Sequence, residues 1–75
     1  MGEKGYRFRE CRLRAGMKQS VAAKLSGISQ QAISTYELGT REPLAIAIIK
    51  LADVYDVSID YLLGISDDPK RDWKL

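Results

Sequence analysis

The residues of this chain that could carry chemistry are hydrogen-bonding and charged side chains, not nucleophiles or metal ligands. Its 75 residues include no histidine and a single cysteine, Cys11. This composition excludes Ser-His-Asp and Cys-His catalysis, a zinc site of the usual Cys/His kind and an internal disulfide. Two glutamines are adjacent, Gln30 and Gln31, and each amide offers one acceptor and two donors in a plane. Glutamine pairs are common on solvated helices, so the position of this pair decides what it indicates.

Charge is distributed unevenly along the chain. Residues 1–41 carry eight basic and three acidic side chains, a net charge of +5, whereas residues 42–75 carry four basic and seven acidic ones, a net charge of −3. A chain whose halves differ in sign presents a basic face, which suits a polyanion such as nucleic acid. Solvated helix faces would explain the same pattern, and charge alone does not separate the two explanations.

Length and composition indicate one small globular domain. A chain of 75 residues is too short for a second domain, and 45% hydrophobic with 29% charged residues is ordinary for a soluble protein. Without a disulfide or zinc site, a core of this size depends on well-packed helices or on oligomerisation. The longest apolar run, residues 44–49, is far shorter than the ~20 residues of a membrane span. The polar N-terminus lacks a secretory signal, so we expect a cytoplasmic protein.

Single glycines and prolines divide the chain into short helical segments. No run alternates between apolar and polar residues for long, so no strand is indicated. Ser29 and Ser58 are expected to cap the third and fifth helices, and residues 40–43 are expected to form a loop that ends in proline. We predict an all-α domain over residues 1–64 and a polar C-terminal tail over residues 65–75. The five predicted helices span about residues 6–15, 18–26, 30–38, 44–55 and 59–63.

Helical spacing also predicts which residues face the core. Cys11 lies on the apolar face of the first helix, and we interpret it as a small buried hydrophobe, not a reactive thiol. The residues expected to face inward are Phe8, Cys11, Arg12 and Ala15 in the first helix, Val21, Ala22 and Leu25 in the second, and Ile48, Leu51, Ala52 and Tyr55 in the fourth.

The second and third helices meet across a short turn, residues 26–29. A connection of this length containing glycine is what a helix-turn-helix requires. The small Ala23 lets the two helices cross closely, Gly27 can adopt the positive φ that ends the second helix, and Ile33 anchors the third helix in the core. The motif, at about residues 19–38, therefore specifies one angle between two helices.

Three segments in order, FRECRLRAGMKQ, AAKLSGISQQAISTYELGTREP and KLADVYDVSIDYLLG, resemble the helix-turn-helix repressors of the lambda-repressor and Cro type, also called XRE-like regulators. The resemblance covers about residues 6–64. It implies a compact five-helix, lambda-repressor-like domain whose third helix enters the major groove of double-stranded DNA. It implies a repressor-like transcriptional regulator. Since the chain consists of little beyond this domain, we expect no ligand-sensing domain, and the composition gives no reason to expect a cofactor or a metal. The sequence departs from the family at Lys18, where serine or threonine usually caps the second helix.

The resemblance also implies roles for individual residues. By position, Gln19 binds a phosphate, the third helix faces bases or phosphates, and the segment after it contacts the DNA backbone. These residues are polar, lack a core role and lie opposite Ile33 and Tyr36. The predicted DNA-binding residues are Gln19, Ser29, Gln30, Gln31, Ser34, Thr35, Thr40 and Arg41.

Glu37 is expected to face the interior, although it lies on the third helix. An exposed carboxylate near the end of this helix would repel DNA and oppose the helix dipole. Arg12 lies on the inward side of the first helix, and in the family these two positions form a partly buried salt bridge. We therefore predict an Arg12–Glu37 ion pair; two independent surface charges are the alternative.

A homodimer is expected, because one recognition helix reads only a few base pairs and proteins of this type usually bind two-fold operators. Apolar residues beyond the predicted core indicate the surface that a second copy would cover. We expect the interface to lie in the C-terminal helices or tail. Its candidate residues are Ile46, Ile49, Tyr61, Leu62, Ile65 and Trp73.

Two other classes of function are alternatives to a transcriptional regulator. The chain could be a protein-interaction module, such as the antitoxin of a toxin-antitoxin pair, with DNA binding secondary; a neighbouring toxin reading frame would favour this. An enzyme is not expected, because the sequence offers no convergent set of titratable groups. The acidic residues near the C-terminus, Asp67, Asp68 and Asp72, lack the spacing of a calcium loop and are interpreted as a solvated tail.

Overall fold

Five α-helices and no strand make up residues 6–71, the part of the chain that the computed structural model describes. Every helix boundary lies within two residues of the predicted one, so the all-α, five-helix prediction is confirmed. No helix in this range has both the length and the apolar character needed to cross a membrane. The helices are α1 (Phe8–Arg14), α2 (Gln19–Ser26), α3 (Gln30–Leu38), α4 (Ala45–Tyr55) and α5 (Ile59–Leu62).

Local chemistry fixes where α2 ends and where α3 and α5 begin. The hydroxyl oxygen of Ser29 accepts a hydrogen bond from the backbone N–H of Ala32 at 3.1 Å, and that of Ser58 accepts one from Tyr61 at 3.0 Å. Both caps were expected, since each oxygen satisfies an N–H that has no partner within the helix. Gly27 ends α2 at φ 77°, a left-handed conformation that glycine adopts without a steric penalty. The turn between α2 and α3 is thus defined at both ends.

The core is built from side chains of all five helices. On α2 the prediction was partly wrong, because Val21 and Leu25 are exposed and the buried residues are Ala22 and Ser26. This helix packs against both α3 and α4, and only small side chains fit where the helices cross closely. The buried apolar residues are Phe8, Cys11, Ala22, Ile33, Tyr36, Ala47, Leu51, Ala52, Tyr55, Val57 and Leu62.

Cys11 behaves as a core residue. Its side chain is fully buried, as predicted. Burial disfavours the thiolate and raises the pKa of the Cys11 thiol to about 11. The thiol therefore stays protonated at neutral pH and serves as a small hydrophobe.

The segment after α5, predicted as a polar tail, folds back onto the domain as far as residue 71. The backbone N–H of Ser58 donates to the carbonyl of Pro69 at 2.9 Å. From the other side, the guanidinium of Arg7 donates to the carbonyl of Ser66 at 2.8 Å and pairs with Asp67 at 2.7 Å. Residues 65–71 are therefore tied both to the start of α5 and to the residue preceding α1.

Arg71 anchors this segment at the end of α4. Its side chain is 6% exposed and lies 3.1 Å from a carboxylate oxygen of Asp53 and 3.6 Å from one of Asp56. A cation near a helix C-terminus also interacts favourably with the helix dipole. The contact between Arg71 and Asp53 joins residues 18 apart in sequence.

Replacing Arg71 with alanine should lower the free energy of unfolding by about 1 kcal/mol. The change removes a largely buried guanidinium together with its ion pairs, and the loss is modest because the carboxylate partners are exposed to solvent. Lys70→Ala is the matched control, since the exposed Lys70 neighbours Arg71 and carries the same charge. Urea unfolding followed by circular dichroism measures both variants. Equal stability of the two variants would show that the contacts of Arg71 do not stabilise the fold.

Candidate nucleic-acid interface

The first turn of α3 presents two amides to solvent. Gln30 and Gln31 are exposed, and neither side chain is hydrogen-bonded to another residue within 6–71. The helix is held from its opposite face by Ile33 and Tyr36, which are buried in the core. A rigid helix therefore carries a pair of amides whose donors and acceptors remain available to a ligand.

A shallow depression of about 240 Å³ collects most of the predicted DNA-binding residues. Ala32 belongs to its lining, although the prediction did not include this residue. Gln19, Gln30 and Ser34 lie outside the depression. The residues that line it are Ser29, Gln31, Ala32, Thr35, Thr40 and Arg41.

The hydroxyl groups of the depression differ in what they can still donate. Thr35 donates to the carbonyl of Ala32 at 2.7 Å, and Thr40 donates to the carbonyl of Thr35 at 3.4 Å. Ser29 uses its oxygen as an acceptor for the helix cap, so its own O–H remains able to donate. In this conformation the threonines shape the end of α3, and the donors left for an anion come from Ser29, Gln31 and Arg41.

Arg41 places a positive charge at the rim of the depression. Its side chain is exposed and forms no ion pair with any residue of the described range. The adjacent Glu42 accepts a hydrogen bond from the hydroxyl of Tyr6 at 3.2 Å. The charge of Arg41 is therefore available to a negatively charged ligand such as a phosphate.

Behind this surface, Arg12 and Glu37 form the ion pair that the resemblance implied. The Nε of Arg12 lies 2.7 Å from Oε2 of Glu37 and its Nη2 lies 3.0 Å from Oε1, with the two side chains 11% and 4% exposed. Hydrogen bonding to Glu37 raises the pKa of Arg12 above its ordinary value, so the guanidinium stays charged. A third N–H of Arg12 donates to the carbonyl of Met17 at 2.9 Å. The pair thus joins α1, the loop after it and α3.

Gln19, which the resemblance assigns to a phosphate of the DNA, is not freely solvated. Its Nε2 donates to Oε1 of Glu37 at 3.1 Å, and the residue is half-buried. No spacing rule could have predicted this contact, because the two residues lie on different helices, 18 positions apart. One amide hydrogen of Gln19 therefore points inward, and only the rest of the amide can reach a ligand.

The predicted dimer surface is only partly present. Ile46 and Ile65 are exposed and Ile49 is half-buried, so all three can contribute to an interface. Trp73 lies outside the described residues. These isoleucines remain candidates for contact with a second copy.

The assignment of Leu62 to the dimer surface was wrong. This side chain is 0% exposed, because the single turn of α5 directs it into the core formed with α4. Tyr61 is half-buried, and the guanidinium of Arg7 lies 4.3 Å from the centre of its ring. Tyr61 is therefore largely engaged within its own protomer.

A second depression, of about 390 Å³, lies at the C-terminal segment. Arg14, Asp56 and residues 68–71 line it. Its charges are mixed, since Asp56 and Asp68 line it together with the basic residues, and Arg71 is already paired with Asp53 and Asp56. It is therefore a less suitable site for an anion than the depression beside α3. Within residues 6–71 no group of acidic or cysteine side chains is arranged to hold a metal ion.

Comparison with known families identifies the motif. The family described as Helix-turn-helix matches residues 8–62. This range contains α1 to α5 and all the predicted DNA-binding residues. No solved structure matches the chain significantly.

Curated relatives of the chain are named as regulators. The HTH-type transcriptional regulator ImmR of Bacillus subtilis is 39% identical over 67 residues, which cover 89% of this chain and 53% of ImmR. The uncharacterized HTH-type transcriptional regulator YobD of the same species is 35% identical over 63 residues, covering 84% of this chain and 56% of YobD. The HTH-type transcriptional regulator PuuR of Escherichia coli is 35% identical over 65 residues, which cover 87% of this chain and 35% of PuuR. The chain spans about half the length of the first two relatives.

Proposed function

Since this chain belongs to the helix-turn-helix family, we propose that it is a sequence-specific regulator of transcription, repressor-like, that binds double-stranded DNA with α3 in the major groove. The observation that carries the proposal is the pair of exposed, unbonded amides, Gln30 and Gln31, at the first turn of α3. In helix-turn-helix proteins the N-terminal residues of the second helix of the motif contact base edges. The names of the relatives, all transcriptional regulators, support the same function.

The two kinds of contact have separate roles in this proposal. Gln30 and Gln31 read sequence, because a planar amide can bind N7 and N6 of adenine together. Arg41 and Ser29 hold the DNA backbone, which fixes the register of the protein but carries no sequence information. The unpaired charge of Arg41 and the free O–H of Ser29, both at the depression beside α3, support this division.

The protein acts as a homodimer on a two-fold operator, and it works in the cytoplasm. One copy of α3 spans only a few base pairs, so two copies are needed for useful specificity. Exposed Ile46 and Ile65 and the half-buried Ile49 supply apolar surface for the contact between copies.

Arg41→Ala should weaken binding to specific and to random duplexes alike, because a phosphate contact does not distinguish sequences. The slope of log affinity against log salt concentration should fall by about one, the contribution of one neutralised phosphate. Fluorescence anisotropy of a labelled duplex, measured at several salt concentrations, gives both quantities. Lys70→Ala, which removes an equal charge at the C-terminal segment, is the control and should leave the slope unchanged.

Two results would count against this proposal. Failure of the wild-type protein to bind any duplex at low salt would contradict DNA binding itself. An unchanged salt slope for Arg41→Ala would contradict the phosphate contact while leaving the function open to other contacts.

A further inference from the structure

One carboxylate connects the interior of the domain to the start of α2. Oε1 of Glu37 accepts two hydrogen bonds, from Nη2 of Arg12 at 3.0 Å and from Nε2 of Gln19 at 3.1 Å. Its other oxygen accepts from Nε of Arg12 at 2.7 Å. Gln19 is the first residue of α2. Glu37 therefore links α1, α2 and α3 through a single group that is almost fully buried.

The contact restricts the side chain of Gln19. A glutamine in solvent samples many rotamers and must give up that freedom when it binds a ligand. Here one amide hydrogen is fixed by a charge-assisted bond to a carboxylate that Arg12 itself immobilises. The second N–H and the amide oxygen of Gln19 have no hydrogen-bond partner among residues 6–71. Gln19 is thus a preorganised donor, and preorganised groups bind with a smaller entropic cost.

The surroundings of Gln19 favour an anion. α2 lacks a side-chain cap, because Lys18 precedes it and an ammonium group cannot accept a hydrogen bond. The first backbone N–H groups of α2 therefore lack a cap acceptor, and the helix dipole adds partial positive charge there. The exposed ammonium of Lys18 lies next to the same helix end. The amide of Gln19 and this helix end offer donors and positive charge together.

We propose that Glu37, held by Arg12, is a positioning residue for DNA binding. It orients the amide of Gln19 so that the second N–H donates to a backbone phosphate at the start of α2. The inference rests on the proposed function, since it names how one phosphate of the bound DNA is held. It also gives the buried ion pair a role at the DNA surface in addition to its role in stability.

A neutral donor has a distinctive effect on binding. Gln19→Ala should weaken binding about 10- to 150-fold, the effect of losing one hydrogen bond to a charged group. The loss should be the same for operator and random duplexes. The salt slope should not change, because an amide neutralises no phosphate charge, whereas Arg41→Ala lowers the slope by about one.

A double-mutant cycle tests whether Glu37 acts through Gln19. Binding to a labelled random duplex is measured by anisotropy for the wild-type protein, Gln19→Ala, Glu37→Gln and the double variant. A glutamine at position 37 has one amide oxygen, which the N–H groups of Arg12 occupy, so it no longer orients Gln19. The double variant should therefore bind no more weakly than the weaker of the two single variants. The matched control combines Glu37→Gln with Arg41→Ala, whose fold-losses should multiply.

A measurement on the wild-type protein decides the question if circular dichroism shows that Glu37→Gln does not fold. In ¹H–¹⁵N spectra the two side-chain amide hydrogens of Gln19 give separate signals. On addition of DNA, the ¹H shift of the hydrogen that faces away from Glu37 should move downfield, and by more than that of the hydrogen that faces Glu37. A larger shift of the hydrogen that faces Glu37, or no shift of either, would overturn the proposal.

The outcomes separate this inference from the proposed function. If the wild-type protein binds DNA but Gln19→Ala binds equally well, or the losses from Gln19→Ala and Glu37→Gln multiply, Glu37 is not a positioning residue and the function stands. If the wild-type protein binds no DNA, both proposals are wrong.

Discussion

Replacing Glu37 with alanine is expected to lower the free energy of unfolding by ~3–5 kcal/mol, because it leaves the guanidinium of Arg12 buried without its carboxylate. The two side chains are 11% and 4% exposed, so water cannot replace the lost partner fully. The reverse change, Arg12→Ala, should have an effect of the same size. In a domain this small, the core rarely supplies more than ~3–5 kcal/mol, so either variant should be largely unfolded at room temperature.

Two controls isolate burial of the pair as the cause. Glu10→Ala removes an equal charge from an exposed position of α1 and should change stability little. Replacing both partners, Arg12→Met with Glu37→Met, should recover much of the loss, because no buried charge then remains uncompensated. Urea unfolding followed by circular dichroism measures all four variants. A loss below ~1 kcal/mol for both single variants would mean that the pair behaves as a surface ion pair.

Replacing Gln30 or Gln31 with alanine is expected to cost ~1–3 kcal/mol of binding free energy on the specific operator and little on random DNA. Each amide is exposed, is unbonded within the described residues and lies in the first turn of α3. This is the end of a recognition helix that contacts base edges. Stability should be nearly unaffected, since neither side chain belongs to the core.

The contrast with Arg41→Ala makes this prediction specific. Titration of each variant against the operator and against a random duplex, at one salt concentration, gives the ratio of the two affinities. The ratio should fall for Gln30→Ala and Gln31→Ala and stay constant for Arg41→Ala. If the glutamine variants lost affinity equally for both duplexes, these residues would hold the backbone and would not read bases.

Local signals made much of the fold predictable. The bounds of α3 follow from a serine that caps its first turn and from Gly39, which ends it at positive φ. The third-helix amides were found for the same reason, since their position directly after Ser29 places them on the first turn. The sequence pattern thus located Gln30 and Gln31 without tertiary information, and their role in reading DNA, which the resemblance implied, stays a prediction.

Features that depend on how helices cross could not be predicted in this way. On α2 the spacing rule favoured the large Val21 and Leu25, but the close crossing leaves room only for Ala22 and Ser26. α5 has four residues, too few for a periodic pattern to show which way Leu62 faces. The Gln19–Glu37 contact depends on the angle between α2 and α3, which the sequence does not state.

Selection of bound sequences from a random duplex library tests sequence-specific recognition by α3 most directly. The wild-type protein should enrich a motif made of two inverted half-sites, with centres about one helical turn of DNA or a multiple of it apart, as a homodimer requires. The enriched duplex should bind at least ~10³-fold more tightly than random DNA. A variant with both Gln30→Ala and Gln31→Ala should enrich a weaker or different motif. An enriched pool without a motif, or the same motif at the same strength from this variant, would contradict recognition of sequence by α3.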